Sequence, residues 1–399
     1  MPRLLHTADV HLGARHDDLG PRAAAQRERQ FAAFARSIEL AIDEPVDLFL
    51  VCGDLFDSNS QPKRSVERAA AELGRLVERR IPTVIIPGTH DCYDAGSVYR
   101  VFDLAALAGA NPAADPPLVS LLTPDHPSVS LPQLDLTVHA RVFASKRAPA
   151  SPLAGFSVSA ASPTDARLAT SWHVGMCHGA LKVPGRIEQD EVIFSAEEIA
   201  ASGLDYLALG HWHSYREGVA GGTVWAYAGA PEPVSIDQDG AGQVLIVNLA
   251  ASGAGRRSVT VEPRAVGRTR VERLDLDAAE LESQAALAAV LRRRAHPDLV
   301  LDVRLVGLRP DELDLVTEEV EEQLADDFLR LRLRDASRPA PLDGLPPPAD
   351  TIAGAFYADL EARIAEQDAA GEGDRADELR EALRLGRLLL DEPARVTLA

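Results

Sequence analysis

The stretch Val84-Ile85-Ile86-Pro87-Gly88-Thr89-His90-Asp91 decides how the chain is read. Thr83 to Ile86 is a β-branched run that stops abruptly at Pro87-Gly88. Such a run ending in Pro-Gly predicts a buried strand meeting a turn. A hydroxyl, an imidazole and a carboxylate follow in successive positions, Thr89, His90 and Asp91. In α/β proteins, ligands and chemistry collect just past the strand ends.

The same construction recurs on both sides. Upstream, Arg3 to Ala8 leads into Asp9-Val10-His11-Leu12-Gly13, and Val46 to Val51 leads into Cys52-Gly53-Asp54-Leu55-Phe56-Asp57. Downstream, Trp172 to Met176 leads into Cys177-His178-Gly179, and Asp205 to Leu209 into Gly210-His211-Trp212-His213. Taken singly, Asp-x-His or Gly-Asp reads equally well as a polar turn. Gln26 to Asp43 places Phe31, Phe34, Ile38 and Ile42 at helical spacing, and Ser65 to Arg80 is a second helix. Strand, loop and helix repeating with polar residues at the same strand end predict parallel strands in an α/β layered fold. Tyr99 to Ala108 reads as a further helix, and Ser195 to Ser202 as a short one capped by Ser195. Val224 to Tyr227 and Gln243 to Asn248 read as strands.

Beyond about Arg270 the texture changes. Val271 to Leu276, Ala278 to Ala295, Leu299 to Leu305, Pro310 to Asp326 and Phe328 to Leu333 read as a β-α-β-α-β unit without metal-type clusters. Ser337 to Ala349 is Pro-rich and reads as a stiff extended linker. Two helices follow: Thr351 to Gln367, with a stripe of Ile352, Phe356, Leu360 and Ile364, and Asp374 to Leu390. The expected divisions are residues 1–270, a small α/β cap over 271–336, a linker over 337–349, and a helical partner-docking segment over 350–399.

The 399 residues are 46% hydrophobic and 26% charged, the composition of a soluble globular protein. The formal net charge of −20 gives no bulk attraction to nucleic acid. The acid is uneven: residues 1–100 hold 13 basic against 15 acidic residues, and residues 301–399 hold 12 against 24. An N-terminal face for a polyanion therefore remains open. Three cysteines provide no disulfide framework. Met1 to Val10 lacks the apolar core of a signal peptide, and no apolar run reaches the ~18 residues of a membrane span. The expected location is cytoplasmic.

The strand ends together supply Asp9, His11, Asp54, His90, Asp91, His178, His211 and His213, including five of the eleven histidines. Imidazole and carboxylate ligands suit first-row divalent ions such as manganese, iron or zinc. In this order the five motifs resemble those of the calcineurin-like metallophosphoesterases. Asp9-Val10-His11-Leu12-Gly13 and Gly53-Asp54-Leu55-Phe56-Asp57 look like the DNA-repair nuclease branch, the bacterial SbcD-type exonucleases and their meiotic-recombination relatives. The motif-bearing resemblance covers roughly residues 1–250.

The resemblance implies a four-layer β-sandwich flanked by helices, with two metal ions at the strand ends. Manganese is the usual metal, with magnesium, iron or zinc as substitutes. By that likeness Asp9, His11 and His213 hold one ion, His178 and His211 the other, and Asp54 bridges them. His90 acts at the scissile phosphate and Asp91 orients it. The family's Gly-Asn-His motif places an Asn on the second ion, where this chain has Thr89. The implied partners are DNA, as ends, duplex and single strands, a coiled-coil ABC-type ATPase, and a second copy in a homodimer.

Arg15, Lys63, Arg64 and Lys182 lie near the motifs and are candidates for DNA phosphate contacts, although surface charges are common. His6, His16, His126, His139, His173 and His296 read as non-ligands, with His16 on a loop surface. Trp212 reads as packing beside the site, and Cys52, Cys92 and Cys177 as small buried side chains. The leading expectation is a manganese-dependent DNA nuclease subunit working in double-strand-break repair. The alternatives are a small-substrate cyclic-nucleotide or nucleotide phosphodiesterase of the same superfamily, and a weakly catalytic DNA-end-binding scaffold.

Overall fold

The computed structural model describes residues 1–161, 170–235, 240–251, 257–310, 313, 315–339 and 346–391. The chain forms two compact units, Met1–Val271 and Glu272–Ala399. In the first, β1 (Arg3–Thr7), β2 (Leu48–Cys52), β3 (Thr83–Ile86) and β4 (Val119–Leu121) pair side by side in parallel. Next in the chain come β5 (Ser128–Leu131), β6 (Leu136–Arg141) and β7 (Trp172–His178). The two-stranded ribbon β8 (Ala180–Leu181) and β9 (Ile193–Phe194) precedes β10 (Tyr206–Gly210), β11 (Arg216–Ala220) and β12 (Thr223–Tyr227). β13 (Gln243–Ala251) and β14 (Arg257–Ala265) then join the first sheet antiparallel beside β1. The two six-stranded sheets have the orders β14-β13-β1-β2-β3-β4 and β11-β12-β10-β7-β6-β5.

Side-chain alternation along these strands builds the layers. Leu5, Phe49, Val51 and Ile85 pack outward on Phe31, Phe34 and Ile38 of α1 (Ala23–Asp43) and on Leu73 of α2 (Lys63–Glu78). Leu4, Leu48, Leu50, Val84 and Ile86 point the other way and meet Val138, Val174, Met176 and Ala208 of the second sheet. The far face of that sheet, with Leu207, Leu209 and Tyr227, is covered by Phe194, Ile199 and Leu153. Strands buried on both faces must be apolar at every position, which is why they read as continuous runs. Each fully buried Leu or Phe contributes about 1.5–3 kcal/mol by removal from water. This is the layered α/β sandwich expected from the strand-to-motif pattern.

Several boundaries differ from expectation. The helix expected over Tyr99 to Ala108 is two single turns, α3 (Val98–Val101) and α4 (Leu104–Leu107). Asp103 accepts from the Ala106 N–H and starts a fresh turn, so the first cannot continue through Phe102. α2 begins at Lys63, two residues earlier than expected, with Pro62 at its N-cap. This puts Lys63 and Arg64 in the first turn of the helix. α5 (Val158–Ala161) is a single turn, and α6 (Ala196–Ala201) carries a full capping box between Ser195 and Glu198.

The second unit contains a three-stranded sheet in the order β15-β16-β18, from β15 (Arg270–Asp277), β16 (His296–Val306) and β18 (Phe328–Asp335). The short strand β17 (Leu308–Arg309) pairs with β19 (Arg338–Pro339). That pairing takes the first part of the expected linker into a strand, and residues 340–345 of the linker lie outside the described residues. α7 (Gln284–Arg292) and α8 (Thr317–Leu324) bury Leu287, Leu291, Val320 and Leu324 against Leu301, Val303 and Leu331. α7 starts six residues later than expected, where Ser283 accepts from the Ala286 N–H. Residues 311, 312 and 314 of the expected second helix lie outside the described residues. α9 (Ile352–Ala370) and α10 (Gly373–Asp391) form a helical pair in which the Phe356 ring abuts Gly386. Of the apolar stripe, Leu360 is buried and Ile352 is 81% exposed. Among the described residues, no helix is long and apolar enough to cross a membrane.

Candidate metal and catalytic centre

β1, β2 and β3 are neighbours in one sheet, and β7 and β10 are neighbours in the other. All five strands run so that their C-terminal ends meet. The loops are stitched by backbone hydrogen bonds from Asp9 N to Gly53 O (3.1 Å), His11 N to Asp54 O (2.9 Å) and Gly179 N to Gly210 O (3.1 Å). Asp9, His11, Asp54 and His211 all adopt positive φ, at 52°, 50°, 50° and 106°. Non-glycine residues held there cost about 1–3 kcal/mol each and cluster at functional sites. Glycine is required at two neighbouring positions. A Cβ on Gly53 would collide with the His178 ring, and one on Gly88 would collide with the Asp54 carboxylate.

The side chains converge in two groups that share Asp9. Asp9, His11 and His213 form one, and Asp9, Asp54 and His178 the other; within each, one ligand atom per residue lies within 4.8 Å of the rest. Asp54 reaches towards both, with Oδ2 at 3.1 Å from His178 Nε2 and 3.7 Å from His11 Nε2. His11 and His213 bring their Nε2 atoms to 3.1 Å of each other. Asp9 is buried, and its two carboxylate oxygens accept from the His211 backbone N–H at 2.9 and 3.1 Å.

His178 tests whether this donor set fits a metal. Its Nδ1 lies 3.0 Å from the Cys52 carbonyl oxygen, which can only accept, so the Nδ1 proton is held there. Its buried Nε2 has no hydrogen-bond partner, yet it faces Asp54 at 3.1 Å and Asp9 at 3.9 Å. An imidazole lone pair and two carboxylates face one another stably only with a cation between them. A proton is the smallest such cation. Burial alone would lower the His178 pKa and is the largest single effect, but the Asp54 and Asp9 carboxylates and the Cys52 carbonyl together outweigh it and push the value up to about 10. His11 behaves alike: burial opposes the charge, yet the Asp57 hydrogen bond and the Asp54 and Asp9 charges raise its pKa. Metal ions replace protons on such ligands. The residues therefore fit divalent ions.

His90 stands beside this cluster and is exposed, its ring edge-to-face with His11 at 4.7 Å between centroids. Its expected partner was Asp91, but its Nδ1 lies 2.9 Å from the Asp57 carbonyl oxygen. Asp91 is buried and faces the other way. It accepts from Gly88 N (2.7 Å), Phe56 N (3.1 Å) and the Tyr99 hydroxyl (2.6 Å), so it fixes the loop and not the ring. The turn closed by the Gly88 N–H on Asp91 directs the two side chains to different partners. Thr89 is buried, with its hydroxyl 3.5 Å from Asp54 Oδ2, and the His90 N–H donates to Asp54 Oδ1 at 2.8 Å.

His211 is brought to the centre by its backbone, while its ring Nε2 lies 3.1 Å from Asp190 Oδ1. Sequence reasoning gave no role to Asp57, Tyr99 or Asp190. Asp57 Oδ1 lies 3.2 Å from His11 Nδ1, and with His11 and His90 it forms a third acid–histidine group. Asp57 sits inside a motif string quoted above, so position was a usable signal there; Asp190 had none. His16, expected on the surface, is buried at positive φ. Trp212 stacks on Tyr227 at 4.5 Å between ring centroids.

The candidate phosphate-contacting residues lie at the surface. Arg15 and Arg64 are exposed, Lys63 is 3.4 Å from Glu67, and Lys182 is paired with Glu188 at 2.8 Å. The three cysteines are free and buried. Burial pushes the Cys177 thiol up to about 12 and Cys52 well above its ordinary value.

A layered α/β sandwich with acid–histidine groups at the strand ends defines a metallophosphoesterase. Residues 2–215 match the calcineurin-like phosphoesterase family, and the chain belongs to it. The chain is 28% identical over 274 residues to the DNA double-strand break repair protein Mre11 of Aeropyrum pernix, covering 68% of this chain and 64% of that one. The Mre11 of Sulfolobus acidocaldarius is 39% identical over 89 residues, 22% of each chain. The chain thus spans less than two thirds of the length of these relatives. A Danio rerio protein described as a dimetal phosphatase aligns with TM-score 0.38 and 11% identity, covering 67% of this chain and 98% of that one.

Proposed function

We propose that the chain is a manganese-dependent DNA nuclease that hydrolyses phosphodiesters with two metal ions. The observation that carries the two-ion reading is the shared cluster: Asp9 belongs to both groups, Asp54 reaches both, and His178 Nε2 is aimed between carboxylates without a hydrogen-bond partner. The DNA substrate is supported by the likeness to proteins named for double-strand break repair. Asp9, His11 and His213 would hold one ion, and His178, His211 and Thr89 the second, with Asp54 between them. Bound there, divalent ions supply Lewis-acid stabilisation of phosphate oxygens and an acidified water.

The chain's own residues supply the rest. The Asp57 carbonyl keeps the His90 proton on Nδ1. In the cationic ring the second proton sits on Nε2, from which it passes to the leaving oxygen. Asp91 holds the Gly88–His90 turn that carries the ring. The test is purified full-length protein with manganese on labelled linear duplex, single-stranded DNA and simple phosphodiesters, beside His90→Ala. Manganese-dependent DNA cleavage lost in His90→Ala is the expected result. Turnover of nucleotides alone would replace the reading with a small-substrate phosphodiesterase.

The wider assignment is a nuclease subunit in a double-strand-break repair complex, working on DNA in the cytoplasm with a coiled-coil ATPase and as a homodimer. The α9–α10 pair is the proposed docking segment for the ATPase, and its exposed Ile352 supports that reading. Deleting residues 350–399 should abolish co-purification with the ATPase and spare cleavage of single-stranded DNA; retained co-purification would refute it.

A further inference from the structure

We propose that Asp190 is a positioning residue for His211: it ties up Nε2, so that Nδ1 is the nitrogen presented to the metal centre. This rests on the reading of His211 as a ligand. Asp190 Oδ1 lies 3.1 Å from His211 Nε2, in a pair that is partly buried, at 18% side-chain exposure for His211 and 24% for Asp190. A carboxylate on one ring nitrogen keeps the proton there and leaves the other lone pair free to ligate.

The arrangement repeats a device used elsewhere in the site. Asp57 engages His11 Nδ1, and the Cys52 carbonyl engages His178 Nδ1; in both rings Nε2 then faces the carboxylates. His211 is held in the mirror sense, by Nε2. Its backbone is fixed at φ 106° with the N–H held by both Asp9 oxygens, so the Asp190 contact is what sets the ring.

Asp190 is delivered by a strap over residues 182–192, between β8 and β9. β8 begins two residues after His178, so the strap leaves one candidate ligand and returns a carboxylate to another. One flank of Asp190 is braced within the strap and the other is tied to residues outside it. On one side Glu188 takes Lys182 at 2.8 Å and the Gly185 N–H at 2.9 Å. On the other, the Glu191 carbonyl accepts from Ala148 N at 2.8 Å, and the Glu191 carboxylate lies 3.4 Å from Lys146 Nζ. The Glu191 N–H also donates to Asp190 Oδ1 at 2.6 Å, which sets the carboxylate's direction. A strap braced within itself and tied down at Glu191 holds Asp190 in place before any ion arrives.

The experiment uses the full chain, stripped with chelator, with nitrogen-15 histidine spectra at pH 8 and manganese titration by calorimetry. His211 should carry its proton on Nε2 in wild type and in Asp190→Asn, whose amide oxygen still accepts, and lose that preference in Asp190→Ala. Asp190→Ala should weaken the weaker of two manganese sites about 10- to 100-fold, and Asp190→Asn should recover most of it. A proton on Nδ1 in wild type, or wild-type manganese affinity in Asp190→Ala, overturns the proposal. A wild-type protein that takes up fewer than two ions overturns the metal-centre reading instead, and the tautomer spectra then decide the role of Asp190 alone.

Discussion

The Tyr99 hydroxyl donates to the buried Asp91 carboxylate at 2.6 Å, joining the first helical turn after β3 to the loop that carries Thr89, His90 and Asp91. Burial and the neighbouring Asp54 charge push the Asp91 pKa up; the Tyr99, Gly88 and Phe56 donors work against that rise. The ionised carboxylate thus depends on a complete set of donors.

Tyr99→Phe removes one donor and keeps the ring. A buried acceptor left one bond short costs about 1–3 kcal/mol. Urea unfolding should show a loss in that range, and cleavage should slow because the Gly88–His90 turn loosens. A stability change below about 0.5 kcal/mol, within the range of ordinary surface substitutions, would show that the bond contributes little.

Metal uptake should separate the two groups. The wild-type chain should bind two manganese ions, His178→Ala one, and Asp54→Ala neither tightly. Because ions bind the folded state, stripping them should lower stability, by about 2.7 kcal/mol for each ion present at 100 times its dissociation constant. Metal analysis after gel filtration and unfolding with and without chelator check both. Unchanged stoichiometry in His178→Ala would remove that residue from the ligand set.

His6 provides a pH signature remote from the chemistry. It is buried between the sheets with Nδ1 at 2.8 Å from the Tyr206 hydroxyl, and burial lowers its pKa from 6.5 to about 3. The unfolded chain therefore binds more protons than the folded one between those values. Stability is lost as pH falls from about 6.5 towards 3, at up to about 1.4 kcal/mol per pH unit from this group. Urea unfolding in chelator at pH 7 and pH 5 should show His6→Gln losing about 1–2 kcal/mol less than wild type. Equal losses would assign the acid sensitivity to other groups.

The candidate ligands were legible because strands buried on both faces must be apolar throughout, so a polar residue at their ends stands out. Asp9, His11, Asp54, His178 and His213 are brought within one cluster for that reason. Orientation was not legible. Adjacency in the sequence pairs His90 with Asp91, while the fold turns His90 to the Asp57 carbonyl and Asp91 to Tyr99. Asp190 and Tyr99 reach the site from a strap and a short helical turn, and no spacing rule links such segments to a strand end. The break between α3 and α4 shows local capping by Asp103 winning over an apolar pattern that could have continued.

Thr89 is the one hydroxyl among the proposed ligands. Its side chain is buried, and its hydroxyl lies 3.5 Å from Asp54 Oδ2, so its oxygen is already near the carboxylate placed between the two groups. A hydroxyl on a short β-branched stem is a poorer ligand than an amide oxygen and reaches less far. The second ion should therefore bind more weakly than the first, and cleavage should need more manganese than single-site occupancy requires. Thr89→Asn adds a carbonyl oxygen in nearly the same volume and should lower the manganese concentration for half-maximal activity by about tenfold, the lower end of what a changed metal environment produces. Calorimetry should place that gain in the weaker site and leave the tighter one within a factor of about two. Superimposable titration curves for wild type and Thr89→Asn would mean that Thr89 does not limit the second ion.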